Sequence, residues 1–402
     1  MNKIINALDD LEFHGLATEK PKFESFKRRI VREAVELQHD IHDTILELKR
    51  HHSRTLKHNL LVAYDTSYIA KKMGLVGREL EALELAAFFH DLGKLDIHAV
   101  ILDMSAEEQI AAWKKARPTE PVPDMNTIRN RITVEQFIEA KADKCPSGKR
   151  RLFIEDMKRW LKKQDLFDFY CIPYYAYFKH HQHATGRILG EVLLKSELGK
   201  NWSEVEAKQI IEFATAHHPE YFISGKRAKL PKWGRIIEVA DKFNAIIQSE
   251  GAHKYISKTS KIRALEIIFS QIKDETGTLQ REKKKMVNIL AEKYLTNGIT
   301  QEPIPEAESL QRNLRDAIDY VEAPDKSNLA RARRTVDKYR TVLNSVIADI
   351  TTTLAMIGKV HIRNFIASSL ENKLITWKET FERTLDLATP ELAIKEAKSA
   401  VA

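Results

Sequence analysis

The residues best suited to chemistry in this chain are a histidine and an aspartate that follow one another, His90 and Asp91. They end the apolar run Ala87-Phe88-Phe89 and offer an imidazole and a carboxylate from one point of the backbone. These two ligand types suit a divalent transition metal that activates water. Other ligand-type residues recur near the ends or on the inner faces of predicted helices, and we expect them to converge on the pair: His58, His181, His217, His218 and Asp241.

The segments that must position these residues are nearly all predicted to be helices. Apolar residues recur at a spacing of three to four from residue 23 to 52, which predicts one long amphipathic helix. Two further helices, 58–73 and 78–90, are separated by the turn Gly74-Leu75-Val76-Gly77. More helices are predicted at 175–198, 203–216, 234–249 and 261–272. Side chains on several facing helices commonly build a metal site, so an all-α fold suits these ligands.

Length and composition limit the class of protein. A chain of 402 residues favours two or three domains. It has only two cysteines, Cys145 and Cys171, and no CxxC pair, so a disulfide framework is not expected. It has no apolar run long enough to cross a membrane and no apolar signal-peptide core at its start. We therefore expect a soluble, cytoplasmic protein with no membrane partner.

The positive charge is unevenly distributed. The formal net charge is +8, and residues 141–163 hold nine Lys or Arg against three acids. This segment could meet the phosphates of a nucleotide, a nucleic acid or an acidic partner, and a solvated helix face is the alternative. Because a basic balance alone does not define a nucleic-acid binder, a nucleic-acid partner is not favoured.

The motif around His90 and Asp91 resembles the HD superfamily of metal-dependent phosphohydrolases, most closely its HD-GYP branch. The run from His90-Asp91-Leu92-Gly93-Lys94 to Ile101-Leu102 is similar to that branch's HDIGKIGIPDxIL stretch. His58 precedes His90 by 32 residues, an offset similar to the family's.

The other candidate ligands lie in segments that resemble the same family. The segment from His181 to Leu189 is similar to its His-x-x-x-Gly-x-x-Ile-Leu segment, with Thr185 where glycine is usual. His183 is an alternative to His181 as the ligand. His217-His218-Pro219-Glu220 is similar to the HHE motif, and residues 236–245 are similar to the segment that ends in ADxFDAL.

This resemblance implies an all-α HD-domain helical bundle that holds two divalent metal ions, either Mn, Fe, Ni, Zn or Mg. It also implies hydrolysis of a phosphoester by a metal-bridging hydroxide, with a nucleotide-type substrate and a cyclic dinucleotide as the leading candidate. Asp91 is the expected bridging carboxylate. The ligands expected to complete the first ion are His58, His90 and Asp241, and those expected to complete the second are His181, His217 and His218.

Basic residues near the ligands are candidates for phosphate contacts. Lys94, one turn after the His90-Asp91 pair, is expected to point toward the phosphate and offset developing charge, and a solvated lysine at a helix end is the alternative. A basic cluster between His218 and Asp241 could hold the remaining phosphates, and an ordinary exposed loop is the alternative: Lys226, Arg227, Lys229 and Arg235.

The chain also departs from the family pattern. The Gly-Tyr-Pro loop that names the branch is absent, which leaves the cyclic-dinucleotide specificity open. Arg54 stands four residues before His58, where three-metal members place a glutamate, so two metals are expected. The alternatives are an HD nucleotidase that acts on mononucleotides and a non-catalytic HD module that binds a nucleotide or a protein.

The predicted domain organisation has three parts. Residues 1–53 form an N-terminal helical region, and residues 54–295 form the HD domain with a helical insertion at 103–170. A looser stretch from Asn297 to Pro305 separates this domain from a C-terminal helical bundle, 306–402. The bundle carries no catalytic motif, and we expect it either to pack onto the HD domain or to form a homodimer.

Overall fold

The described part of the chain is helical in the computed structural model. It comprises residues 20–146, 148–195, 197–199, 201–217, 233–247, 261–272 and 277–298, with five single positions beyond residue 350. No strand occurs in these residues, and one isolated bridge pairs Thr133 with Pro173. The predicted all-α fold is therefore confirmed. The helices belong to two compact units, one within residues 20–247 and one within 261–298.

Eleven α-helices and two short 3-10 helices make up the described part of the first unit. The 3-10 helices are Leu92–Asp96 and Phe167–Cys171. The α-helices are α1 Lys20–Leu37, α2 Ile41–Lys72, α3 Gly77–Phe89, α4 Ala99–Leu102, α5 Ala106–Ala116, α6 Met125–Arg131, α7 Val134–Ala142, α8 Arg150–Lys163, α9 Tyr174–Leu194, α10 Glu204–Thr215 and α11 Gly234–Ile247.

The predicted single helix over residues 23–52 is wrong, because the chain breaks between α1 and α2. At the break, the side-chain oxygen of Gln38 accepts a hydrogen bond from the backbone N–H of Ile41 at 3.1 Å, in place of a helical carbonyl. The second helix then continues to Lys72, with a kink at His52, where φ is −157° and ψ is 87°.

The predicted glycine turn after α2 is confirmed. Gly74 and Gly77 adopt φ values of 91° and 63°, a left-handed conformation that glycine reaches without steric cost. The turn reverses the chain, so that α3 packs back along α2.

The helices that carry the candidate ligands pack against one another. Helix α2 packs against α3 and α11, while α9 packs against α10 and the first 3-10 helix. Helix α10 also packs against α3, so that each of these helices contacts another helix of the group.

Helix α1 packs against α2 through aromatic side chains. Phe23 and Phe26 of α1 contact the ring of Tyr64 edge-on, at centroid distances of 5.5 and 5.4 Å. Burial of such side chains contributes about 1.5–3 kcal/mol each.

Residues 97–177, which include the predicted insertion, share an apolar core of their own. Trp113, Phe137 and Leu161 are fully buried there, and Tyr177 of α9 belongs to the same core. Ser105 and Thr133 begin α5 and α7 with reciprocal capping boxes, which satisfy backbone N–H groups at the helix starts.

The described part of the second unit consists of α12, Lys261–Ile272, and α13, Gly277–Gly298, which pack together. No described helix is both long and apolar enough to cross a membrane. Apart from the five single positions, the predicted C-terminal bundle lies outside the described residues, and the predicted domain limits stay predictions.

Candidate metal centre

Five elements of the first unit bring the predicted ligands to one place. His58 lies on α2, His181 on α9 and Asp241 on α11, while His217 follows the end of α10. His90 and Asp91 occupy the turn between α3 and the first 3-10 helix. All six residues are buried. The seventh predicted ligand, His218, lies outside the described residues.

The carboxylate of Asp91 lies at the middle of the group. Its Oδ2 is 3.9 Å from Nε2 of His58 and 3.5 Å from Nε2 of His90. Its Oδ1 is 3.3 Å from Nε2 of His181 and 4.0 Å from Nε2 of His217. The two oxygens of one carboxylate therefore face two different pairs of imidazoles.

Asp241 completes the first of these pairs. Its Oδ1 lies 2.8 Å from Nε2 of His58 and 3.6 Å from Nε2 of His90. The ligand atoms of His58, His90 and Asp241 lie within 4.8 Å of one another, a spacing at which they could share a metal ion. The ligand atoms of His90, Asp91 and His217 meet the same limit. The first group contains the three ligands predicted for the first ion, whereas the second contains His217 but not His181 and shares His90 with the first.

Backbone hydrogen bonds fix the orientation of three imidazoles. In His90, His181 and His217, Nδ1 lies 2.7, 2.5 and 2.6 Å from the carbonyl oxygen three residues earlier in the chain. Because a carbonyl oxygen can only accept, Nδ1–H is the donor, and Nε2 is the nitrogen that faces the carboxylates. This is the arrangement in which histidine ligands are held for metals.

The electrostatics of the centre keep its two carboxylates ionised. Burial raises the pKa of Asp91, but Lys94 and the nearby histidines lower it further, so that it lies well below its ordinary value. Burial also raises the pKa of Asp241, and the hydrogen bond with His58 and the nearby imidazole of His90 bring it well below the usual range. Both carboxylates therefore carry negative charge in a buried place, next to the basic groups of Lys94 and His58.

The histidines differ in their protonation. Burial lowers the pKa of His181 to about 4, so its imidazole is neutral at pH 7, the form that ligates metals. Burial also lowers the pKa of His90, but Asp91 and Asp241 raise it above its ordinary value. Nε2 of His90 is nevertheless buried without a well-formed hydrogen bond in the described part of the chain. The buried nitrogen and oxygen ligands thus fit a divalent metal.

The residues of the candidate metal centre differ slightly in exposure. His58, Lys94 and Asp241 keep 7–8% of their surface exposed, whereas His90 and His217 keep none. The ammonium of Lys94 forms an ion pair with Oδ2 of Asp91 and lies 5.7 Å from the ring centre of Phe178. The predicted catalytic lysine is therefore buried in the candidate metal centre, next to the central carboxylate.

The predicted phosphate contacts are only partly described. Arg235 is half-buried on α11, six residues before Asp241. Lys226, Arg227 and Lys229 lie outside the described residues, so their expected role stays a prediction.

The structure also separates the three histidines of α9. His181 is buried in the centre and His183 is exposed, which removes His183 as the alternative ligand. His180 lies on another side, where its Nε2 is 3.5 Å from Asp96.

Sequence reasoning missed the polar side chains that hold the ligand-bearing elements together. Asn59, next to His58, donates from Nδ2 to the carbonyl oxygen of Phe88 at 3.0 Å. Asn244, one turn after Asp241, donates to the buried carboxylate of Asp65 at 2.8 Å. The available signal was weak: each is a polar residue within an otherwise apolar helix face.

Comparisons with known proteins give no match: no family model, no curated protein and no solved structure is similar to this chain at a significant level.

Proposed function

We propose that this protein is an HD-type, metal-dependent phosphohydrolase that cleaves a phosphoester bond of a nucleotide-type substrate, with a cyclic dinucleotide as the leading candidate. The observation that carries the proposal is the carboxylate of Asp91, whose two oxygens face two groups of ligand atoms. A bridging ligand of this kind is a common part of two-metal hydrolytic sites. The sequence resemblance to HD phosphohydrolases supports the same class.

The residues of the chain have distinct roles in this proposal. Divalent ions held by these residues would supply a water molecule of lowered pKa and Lewis-acid binding of the phosphoryl oxygens. Asp91 would hold both ions, since its low pKa keeps the carboxylate ionised. His58, His90 and Asp241 would bind the first ion, and His181 with His217 the second. Lys94 would offset the negative charge that develops on the phosphoryl group.

The test is hydrolysis by the metal-loaded, full-length protein. Bis(p-nitrophenyl) phosphate, cyclic dinucleotides and mononucleotides are assayed beside Asp91→Ala. We expect wild-type turnover and a variant reduced to the uncatalysed rate, because the variant lacks the carboxylate that both ions share. Asp103→Ala is the matched control, since that carboxylate is half-exposed and pairs with His52 and Arg54 instead.

The product identifies the substrate class. A linear dinucleotide supports a phosphodiesterase, and inorganic phosphate from mononucleotides supports a nucleotidase. Metal binding without any turnover would contradict the enzymatic proposal and favour a non-catalytic binding module.

A further inference from the structure

We infer that Thr185 is a positioning residue that holds the two halves of the metal centre at their working separation, an inference that rests on the proposed metal site. Thr185 is fully buried on α9, one turn after His181. Its hydroxyl accepts a hydrogen bond from the backbone N–H of Gly93 at 2.9 Å and donates one to the carbonyl oxygen of His90 at 3.0 Å. One side chain thus binds the backbone on both sides of Asp91.

The same turn, residues 90–93, packs directly on the backbone of α9. A Cβ atom at Gly93 would lie 1.8 Å from the carbonyl oxygen of His181 and 2.5 Å from the backbone nitrogen of Thr185. No side chain fits in this space, so the turn and the helix are in backbone contact. The hydroxyl of Thr185 fixes the register of that contact, and with it the distance between Asp91 and His181.

A second anchor holds the turn on its other side. Asn59 of α2 binds the carbonyl oxygen of Phe88, just before His90. His90 therefore stays close to His58 even where the contact with α9 weakens. Loss of the Thr185 hydroxyl would separate the turn from α9 rather than from α2.

This asymmetry predicts an unequal effect on the two ions. The group made by His58, His90 and Asp241 does not include α9. The other group needs Oδ1 of Asp91 beside Nε2 of His181, which lie 3.3 Å apart across the turn–helix contact. Weakening that contact should therefore reduce the affinity for the second ion far more than for the first.

The experiment is a titration of the metal-free, full-length protein with Co²⁺, followed by visible absorption and by elemental analysis of bound cobalt. Thr185→Val keeps the shape of the side chain and removes both hydrogen bonds. We expect the second Co²⁺ to bind about 10- to 100-fold more weakly, as for other residues that orient metal ligands, and the first to bind as in wild type. Thr185→Ser restores the hydroxyl and should restore the second ion.

Thr66→Val is the matched control. Thr66 is equally buried in the same unit, on α2, and its hydroxyl has no hydrogen-bond partner in the described residues. This substitution should leave both Co²⁺ affinities unchanged, which separates the loss of a buried threonine hydroxyl in general from the loss of this one.

Each outcome addresses one proposal. Two Co²⁺ ions bound by Thr185→Val as tightly as by wild type would overturn the positioning role and leave the proposed metal site intact. Wild-type protein that binds no Co²⁺ would overturn the proposed function itself. If Thr185→Val does not fold, Thr185→Ala replaces it, and equal weakening in Thr185→Ala and Thr185→Ser would overturn the inference.

Discussion

At the metal centre, His90 and His217 are as deeply buried as Trp113 and Phe137 are in the apolar core of residues 97–177. The two regions differ in what they bury. Apolar burial stabilises a fold by about 25 cal/mol per Å², whereas buried polar and charged groups destabilise it unless they are paired. The apolar core therefore supports the fold, whereas the candidate metal centre gathers buried ligand atoms that could hold a metal ion.

The largest effect that we expect from a substitution away from the metal centre is on stability alone. Trp113→Ala should lower the free energy of unfolding by about 3–5 kcal/mol, because it empties the middle of the apolar core. Urea denaturation measures this loss. The number of metal ions per folded chain should stay at the wild-type value.

The control for that variant is Leu152→Ala, whose side chain is 59% exposed and should change stability little. A loss of bound metal in folded Trp113→Ala would show that the two regions are not independent, and the contrast between them would fail.

Metal addition should raise the free energy of unfolding through the candidate metal centre and not through the apolar core. An ion that binds only the folded chain stabilises it by about 2.7 kcal/mol at a concentration of 100 times its Kd. We expect this rise in wild type and in Trp113→Ala, measured by denaturation with and without Co²⁺. Asp91→Ala should show none of it, since the shared carboxylate is missing. An equal rise in Asp91→Ala would place the stabilising ion elsewhere.

The smallest change in stability that we expect comes from the ion pair of Asp96 with Arg187. Burial raises the pKa of Asp96, but hydrogen bonds from His180 and Arg187 lower it below its ordinary 3.8. Both carboxylate oxygens lie 2.8–2.9 Å from the guanidinium of Arg187, which is half-exposed. Because solvent screens such a pair, Arg187→Met should cost no more than about 1 kcal/mol.

The pH dependence of this cost has a definite sign. A carboxyl whose pKa is lowered by folding contributes stability above its unfolded pKa and loses it as the pH falls through the folded pKa. The difference between wild type and Arg187→Met, measured by urea denaturation without metal, should therefore be full at pH 6 and shrink below about pH 4. Arg151→Met, at an exposed pair with Glu155, is the control and should show a smaller difference. A difference that grows on acidification would contradict the assignment.

Much of the fold was predictable because the periodic spacing of apolar residues in a helix is a local feature of the sequence. The apolar spacing predicted the helices that carry His58, His181 and Asp241, and two glycines predicted the turn between α2 and α3. The break between α1 and α2 was not predictable in this way. Leu37 and Ile41 keep the helical spacing across it, and at the break the side-chain oxygen of Gln38 accepts a hydrogen bond from the backbone N–H of Ile41.

The candidate site was predictable in its ligands but not in its geometry. Residue types, together with the similarity of their spacing to HD phosphohydrolase motifs, predicted the residues that the structure brings together around Asp91. They could not identify Thr185, whose partners are backbone atoms more than 90 residues away along the chain. Nor could they choose between His181 and His183, since that depends on how α9 is rotated toward its neighbours.

The most direct test of the central claim is an anomalous difference map from crystals of the full-length protein grown with Mn²⁺ or Zn²⁺. We predict two peaks about 3.5–4 Å apart on either side of the Asp91 carboxylate. One should lie within ligand distance of His58, His90 and Asp241, and the other of His181 and His217. A map with no peak at Asp91, or with one ion bound away from it, would contradict the two-metal centre.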